Sequence, residues 1–200
     1  MHTEQNSAEK IKDTSMRRFP IYICIDTSGS MHGEPIKRVY KYLTILESRL
    51  HQDPYMLEMA YLSTITYNVH AKETEPLTKL ELRKLPFSTQ EFTCSGASCL
   101  GAALELVVQS VRRNCIRSTA NSKGDYKPVL LIFTDGKPSD PFAYHAMIPT
   151  IRALSPDIGI FTIGQKADLV ALKQLTDTII PLETATINDF YNIWMYRFRS

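Results

Sequence analysis

Five apolar, β-favouring residues, Ile21, Tyr22, Ile23, Cys24 and Ile25, run directly into Asp26-Thr27-Ser28-Gly29-Ser30. A near-continuous apolar run of this length reads as a strand buried on both faces, as in a parallel sheet covered by helices. The polar cluster then falls in the loop at the strand's C-terminal end, where open α/β sheets place their ligands. Asp26, Ser28 and Ser30 alternate along the chain, so a short extended loop can turn all three oxygens to one side. One carboxylate and two hydroxyls form a hard-oxygen set suited to Mg²⁺, which takes few carboxylates and keeps some of its waters.

The rest of the chain continues the pattern. After Gly33-Glu34-Pro35, with Pro at an early helical position, Ile36, Val39, Tyr40, Leu43, Leu46 and Leu50 recur at helical spacing. Asp53-Pro54 ends that helix. Residues 56–67 read as a second strand, and residues 69–77 as its antiparallel return after a turn at Asn68. Lys72, Glu73, Glu75 and Pro76 suit an edge strand that must not pair further. Leu80, Leu82 and Leu85 allow a short helix before Pro86, and residues 88–98 read as loop. Leu100, Ala103, Leu104, Val107, Val108 and Val111 mark a helix, 129–133 a fully apolar strand, and 140–154 a helix containing Pro149. A strand over 158–163, a short helix over 167–175, a last strand at Ile179-Ile180 and a helix with Ile187, Phe190, Tyr191, Trp194 and Phe198 on one stripe complete the chain. Strands alternating with helices predict an α/β sheet, mostly parallel, with helices on both faces.

Composition narrows the function. A net charge of +2 does not imply a nucleic-acid surface. No apolar run approaches the ~20 residues of a membrane helix. The first 16 residues are polar and lack the apolar core of a signal peptide, so residues 1–18 are expected to be a flexible arm and the cytoplasm the default location. Cys24, Cys94, Cys99 and Cys115 form no C-x-x-C pair, which argues against a zinc module. Cys24, inside the first strand, is expected to be a small buried apolar residue, and Cys94 and Cys99 free thiols, with a redox switch as the alternative.

Asp26-x-Ser28-x-Ser30 after a buried strand resembles the first segment of the metal-ion-dependent adhesion site of von Willebrand factor A domains. Two further segments follow in order. Gly96-Ala97-Ser98-Cys99-Leu100 resembles the family's Gly-Gly-Thr-x-Leu before a helix, and residues 130–136, ending in Thr134-Asp135-Gly136, resemble its strand ending in Thr-Asp-Gly. The resemblance covers residues 19–200 as one domain. It implies a doubly wound, Rossmann-like sheet with one antiparallel edge strand, in which the strands ending at Asp26 and Asp135 are neighbours. Carried over residue by residue, it implies metal ligation by Asp26, Ser28, Ser30, Ser98 and Asp135. The ion would be Mg²⁺, with Mn²⁺ or Ca²⁺ as alternatives, and one open position would take a Glu or Asp from a protein partner. Ser98 stands where the family has Thr, and Ala97 where it has a second Gly. Ala97 would be strained if position 97 needed a positive φ, and Ser98 is also a favoured helix N-cap. His32 and Lys137, in the same loops, are the expected rim of the partner site.

Enzyme readings fare worse. Rossmann-like phosphatases of the haloacid dehalogenase type need a second acid two residues after the first; here that position is Ser28. No Gly-x-x-x-x-Gly-Lys-Ser/Thr or Gly-x-Ser-x-Gly occurs. A binding module, not an enzyme, is expected, and a Mg²⁺-dependent phosphoryl-transfer hydrolase is the runner-up. Within the superfamily, residues 26–36, Gln52-Asp53-Pro54, residues 100–106, 124–128 and 134–140 resemble the tellurite-resistance TerY-like proteins. That resemblance implies a cytoplasmic bacterial adaptor in stress-linked phosphorylation signalling, with a protein kinase and a PP2C-type phosphatase as partners. From charge and hydropathy, no nucleic-acid or membrane partner is expected.

Overall fold

The computed structural model describes residues 17–154 and 156–195. Strand β1, Phe19–Asp26, is buried at every position. A single 3-10 turn at Gly29–Met31 follows, pinned by fully buried Met31. Gly33, at φ 83, then turns the chain into helix α1, Glu34–Gln52. That left-handed conformation is open to glycine at little cost. Ile36, Val39, Tyr42, Leu43, Leu46 and Leu50 form the buried stripe of α1. Tyr40, expected in that stripe, is half-buried and stacks on Phe92 at 5.0 Å.

The second strand begins later than its composition suggests. Asp53 does not merely end α1; its side chain accepts from the amides of Tyr55 and Met56 and starts helix α2, Pro54–Met59, with Pro54 at the first position. A capping carboxylate plus Pro at the first turn overrides the β-favouring side chains of residues 56–59. Strand β2 is Ala60–Tyr67, and β3, Ala71–Lys79, returns antiparallel to it. The helix allowed over 78–87 is absent. Leu80–Leu82 and Phe87–Thr89 are single 3-10 turns, and Leu82 and Leu85 are exposed.

Helix α3 is Leu100–Asn114, β4 Val129–Thr134, and α4 Pro141–Leu154, which runs through Pro149. Strand β5 is Asp157–Thr162, α5 Leu169–Lys173, β6 Ile179–Pro181 and α6 Ile187–Met195. Phe190 and Trp194 of α6 are buried as its stripe predicts; Phe198 lies outside the described residues.

The six strands form one sheet in the order β3-β2-β1-β4-β5-β6. All pairs are parallel except β2 with β3 at the edge. Side chains of α1, α2 and α6 pack one face, and those of α3, α4 and α5 the other. This is a doubly wound, Rossmann-like architecture. The crossovers diverge between β1 and β4, so a crevice opens at the C-terminal ends of those two strands.

Two polar clusters stitch the sheet to its surroundings. Arg18 makes a bidentate pair with Asp125, at 2.9 and 2.7 Å, and Arg17 donates to the Gly124 carbonyl. Both arginines fall in the stretch expected to be a flexible arm, yet they anchor the connection between α3 and β4. The acids of β3 also do more than blunt an edge. Glu73 accepts from Ser63, Ser110 and Arg113. Glu75 is buried and shares Arg83 with Glu47 of α1.

Candidate metal centre

Three loops meet at the C-terminal ends of β1 and β4. The residue after each strand's apolar run cannot continue into the core, so its polar side chain emerges at the crevice. The parallel register pairs Ile25 with Phe133, which sets Asp26 beside Thr134 and brings Asp135 alongside. The middle segment is attached by backbone bonds. The Ser95 amide donates to the Thr27 carbonyl at 2.9 Å, the Gly29 amide to Gly96 at 2.9 Å, and the Cys99 amide to Asn68 at 2.9 Å. The Ser139 amide donates to the Ser98 carbonyl at 2.7 Å, joining the second loop to the third. In this loop the left-handed conformation falls on Gly96, at φ 74, and a Cβ there would meet Val69 Cγ2 at 2.6 Å.

The five expected ligands come together. Asp26 is fully buried. Its Oδ1 accepts from the Ser28 amide at 2.9 Å, and its Oδ2 accepts from Ser98 Oγ at 2.7 Å and Thr134 Oγ1 at 2.8 Å. Ser30 Oγ donates to Asp135 Oδ1 at 2.9 Å and lies 3.3 Å from Ser28 Oγ. His32 and Lys137 are exposed on the flanking loops. Ser98 is not an N-cap: the cap position of α3 is Cys99, without a side-chain bond. The helix N-terminus is satisfied by Asp140, whose carboxylate accepts from the amides of Gly101 and Ala102. Gly101 allows α4 that close; a Cβ there would stand 2.4 Å from the Tyr144 amide nitrogen. With the helix end capped from another loop, the Ser98 hydroxyl is free for Asp26.

Thr134 was not among the expected site residues. Its signal lies in the register, because the last residue of β4 must sit beside the last residue of β1. Tyr67, at the end of β2, was also missed. Its ring is buried in the same cluster as Leu100 and Leu104 of α3, and its hydroxyl lies near Ser98, Thr134 and Asp26.

Asp26 and Asp135 share this crevice without a basic partner. Among the described residues, no Lys, Arg or His forms an ion pair with either. Burial, with the Asp26 charge as a lesser cause, raises the Asp135 carboxyl above its ordinary range, against the pull of the Ser30 hydrogen bond and Lys166. Two carboxylates in one poorly solvated site need a counter-charge. Three hydroxyls at the same point offer neutral oxygens to share it. Among the described residues no group of three or more His, Cys, Asp or Glu that could hold a metal occurs, so hydroxyls would have to complete any ligand set here. The all-oxygen donor set fits a hard divalent cation such as Mg²⁺, Mn²⁺ or Ca²⁺.

The Asp135 shift has a sign. A carboxyl raised in the folded protein makes the ion-free fold lose stability as pH rises from the ordinary carboxylate range through the raised value. Binding of a cation here would require the carboxylate, so affinity would rise across that same window and level off above it. Calorimetric titration with Mn²⁺ is expected to show weaker binding at about pH 5 than at about pH 7. In Asp135→Asn that difference is expected to shrink, with weak binding at both values.

The comparisons agree with this architecture. Residues 21–191 match the von Willebrand factor type A domain. The chain belongs to that family. Among solved structures, proximal thread matrix protein 1 from the mussel byssus, in a form whose MIDAS motif is occupied by zinc, superposes with a TM-score of 0.65 at 13% identity. The match covers 90% of this chain and 46% of that one. A von Willebrand factor type A protein from Catenulispora acidiphila gives 0.64 at 14% identity, covering 92% and 42%. BatB from Bacteroides thetaiotaomicron gives 0.60 at 11% identity, covering 91% and 100%. The chain spans less than half the length of the first two. At these identities the likeness concerns the fold. No curated protein matches the sequence. No helix among the described residues is long and apolar enough to cross a membrane.

Proposed function

We propose that the chain is a metal-dependent protein-binding module whose crevice is a metal-ion-dependent adhesion site. The observation that carries this reading is the convergence of Asp26 and Asp135 on Ser28, Ser30 and Ser98, with no basic side chain among the described residues ion-paired to either acid. Asp26, Ser28, Ser30, Ser98 and Asp135 would hold the ion, which supplies a positive charge facing the loops. Mg²⁺ is the proposed occupant, because few carboxylates and neutral oxygens leave room for its waters. A Glu or Asp from a partner protein would replace one water and offset charge in a partly dehydrated site. His32 and Lys137 form the rim, and Lys137 would steer the acid at long range, an effect that weakens with salt.

The proposed setting is a cytoplasmic adaptor in bacterial stress or tellurite-resistance-linked phosphorylation signalling, with a protein kinase and a PP2C-type phosphatase as partners. Support for this comes from the likeness of residues 26–36, 52–54, 100–106, 124–128 and 134–140 to TerY-like sequences. The chain is proposed not to be an enzyme, since Ser28 stands where a phosphatase of this topology carries its acid.

Pull-downs with the full chain in Mg²⁺, in chelator, and with Asp135→Ala test the reading. Recovery of one partner in Mg²⁺ alone, abolished by removing a single acid on that partner, is expected. Equal recovery in all three arms sinks metal-bridged recognition. In parallel, generic phosphate esters incubated with protein and Mg²⁺ should show no turnover. Turnover lost in Asp26→Asn would favour the hydrolase instead.

A further inference from the structure

Close to Asp26 lies a buried hydroxyl that is not among the five candidate ligands. Tyr67 is about 1% exposed, and among the described residues its buried hydroxyl finds no partner in good hydrogen-bond geometry. It sits beside the hydroxyls of Ser98 and Thr134, within the field of the Asp26 carboxylate. Both neighbouring hydroxyls already commit their hydrogens to Asp26 Oδ2, at 2.7 and 2.8 Å. Asp26 Oδ1 is taken by the Ser28 amide. The Oδ2 atom is thus filled by two donors, and the Tyr67 hydrogen is left over. Burial of a hydroxyl without a partner is costly, and a Phe ring would fill the same space without that cost. The Tyr67 carbonyl is meanwhile fully engaged, accepting from the Thr27 amide at 2.7 Å and Thr27 Oγ1 at 3.0 Å, so the end of β2 is held firmly under the first loop.

We infer that Tyr67 is a positioning residue for the cation, its hydroxyl serving as the reserve donor to the Asp26–Ser98–Thr134 cluster when the Ser98 oxygen turns to an ion. The inference rests on the reading of the crevice as a cation site. Ser98 donates its one hydrogen to Asp26 and keeps lone pairs that can face an ion. Drawing those lone pairs toward an ion pulls the hydroxyl off its line to Asp26 and weakens that bond. The adjacent Tyr67 hydroxyl has a hydrogen to give and stands on the buried side, where no water competes. Groups behind the direct ligands that orient them commonly change metal affinity 10- to 100-fold. A purely structural tyrosine would behave in the opposite way, since its loss would weaken the ion-free fold and leave affinity unchanged.

Tyr67→Phe separates the two. Thermal melts in chelator and calorimetric titrations with Mg²⁺ and Mn²⁺ are compared for wild type, Tyr67→Phe and Thr64→Val. Thr64 carries another buried hydroxyl without a partner, and strand alternation puts it on the opposite face of β2. Tyr67→Phe is expected to melt in chelator at or above the wild-type temperature and to bind both cations roughly ten-fold more weakly. Thr64→Val is expected to bind as wild type does. Equal affinity of wild type and Tyr67→Phe overturns the role of Tyr67 while leaving the cation site intact. So does a fall in the chelator melt of Tyr67→Phe, or an equal loss of affinity in Thr64→Val. Absence of cation binding by wild type overturns the site and this inference together.

Discussion

Asp26→Ala is expected to abolish measurable Mg²⁺ and Mn²⁺ binding and, unlike an ordinary loop substitution, to destabilise the ion-free protein. The sequence suggests an exposed aspartate in an acidic loop, whose removal leaves the core alone. The structure reverses that expectation: Asp26 is fully buried and accepts from the Ser28 amide, Ser98 and Thr134. Each buried donor left without an acceptor costs about 1–3 kcal/mol. Relief of the Asp26–Asp135 repulsion offsets part of that. A net loss of about 2–4 kcal/mol follows, read from urea denaturation in chelator at neutral pH. Asp26→Asn keeps the volume and one acceptor oxygen, so it is expected to lose cation binding with a smaller loss of stability. Unchanged calorimetric binding by Asp26→Ala would falsify the assignment of the crevice.

Arg83→Met is expected to cost about 3–5 kcal/mol, the usual penalty for breaking a buried ion cluster by removing one partner. The Arg83 side chain is 2% exposed, and those of Glu47 and Glu75 are 9% exposed. Its guanidinium reaches Glu47 on α1, Glu75 on β3 at 2.6 and 2.9 Å, and the Leu85 carbonyl, while lying over the Phe87 ring. The Phe87 amide donates to the other oxygen of Glu47 at 2.9 Å. Removing Arg83 strands two carboxylates in one buried space and frees the chain between β3 and α3. That chain leads into residues 94–98 of the metal crevice, so the variant is also expected to bind cations more weakly. Replacing Glu75 by Gln in the Arg83→Met background should recover part of the loss, because only one buried charge then remains. A loss below about 1 kcal/mol on urea denaturation would mean that the cluster is solvated in solution.

The fold was legible because its strongest signals are local. Apolar runs in β1 and β4 leave no solvent face, and the stripes of α1 and α3 are long enough to fix their type. The misread stretches are those in which local preference is weak. Residues 56–59 carry β-favouring side chains, but Asp53 and Pro54 supply a helix start that outweighs them. Leu80, Leu82 and Leu85 suggest a stripe, yet the ion cluster around Arg83 holds the chain in an irregular path.

The sequence by itself determined the class of fold and the residue types of the site, because burial periodicity and donor chemistry are properties of short segments. Asp26, Ser28 and Ser30 lie within five residues, so their joint role was visible before folding. Only the tertiary structure decided which partners those side chains meet. Ser98 is a ligand candidate and not a cap because Asp140, some forty residues away in the chain, satisfies the helix end. Thr134 joins the site because the β1–β4 register sets it beside Asp26, and Tyr67 because β2 ends beneath the same point. The physical reason is common to all three. A hydrogen bond between distant segments depends on where two strands stop relative to each other, and that is set by packing of the whole sheet against its helices, not by any one stretch of chain.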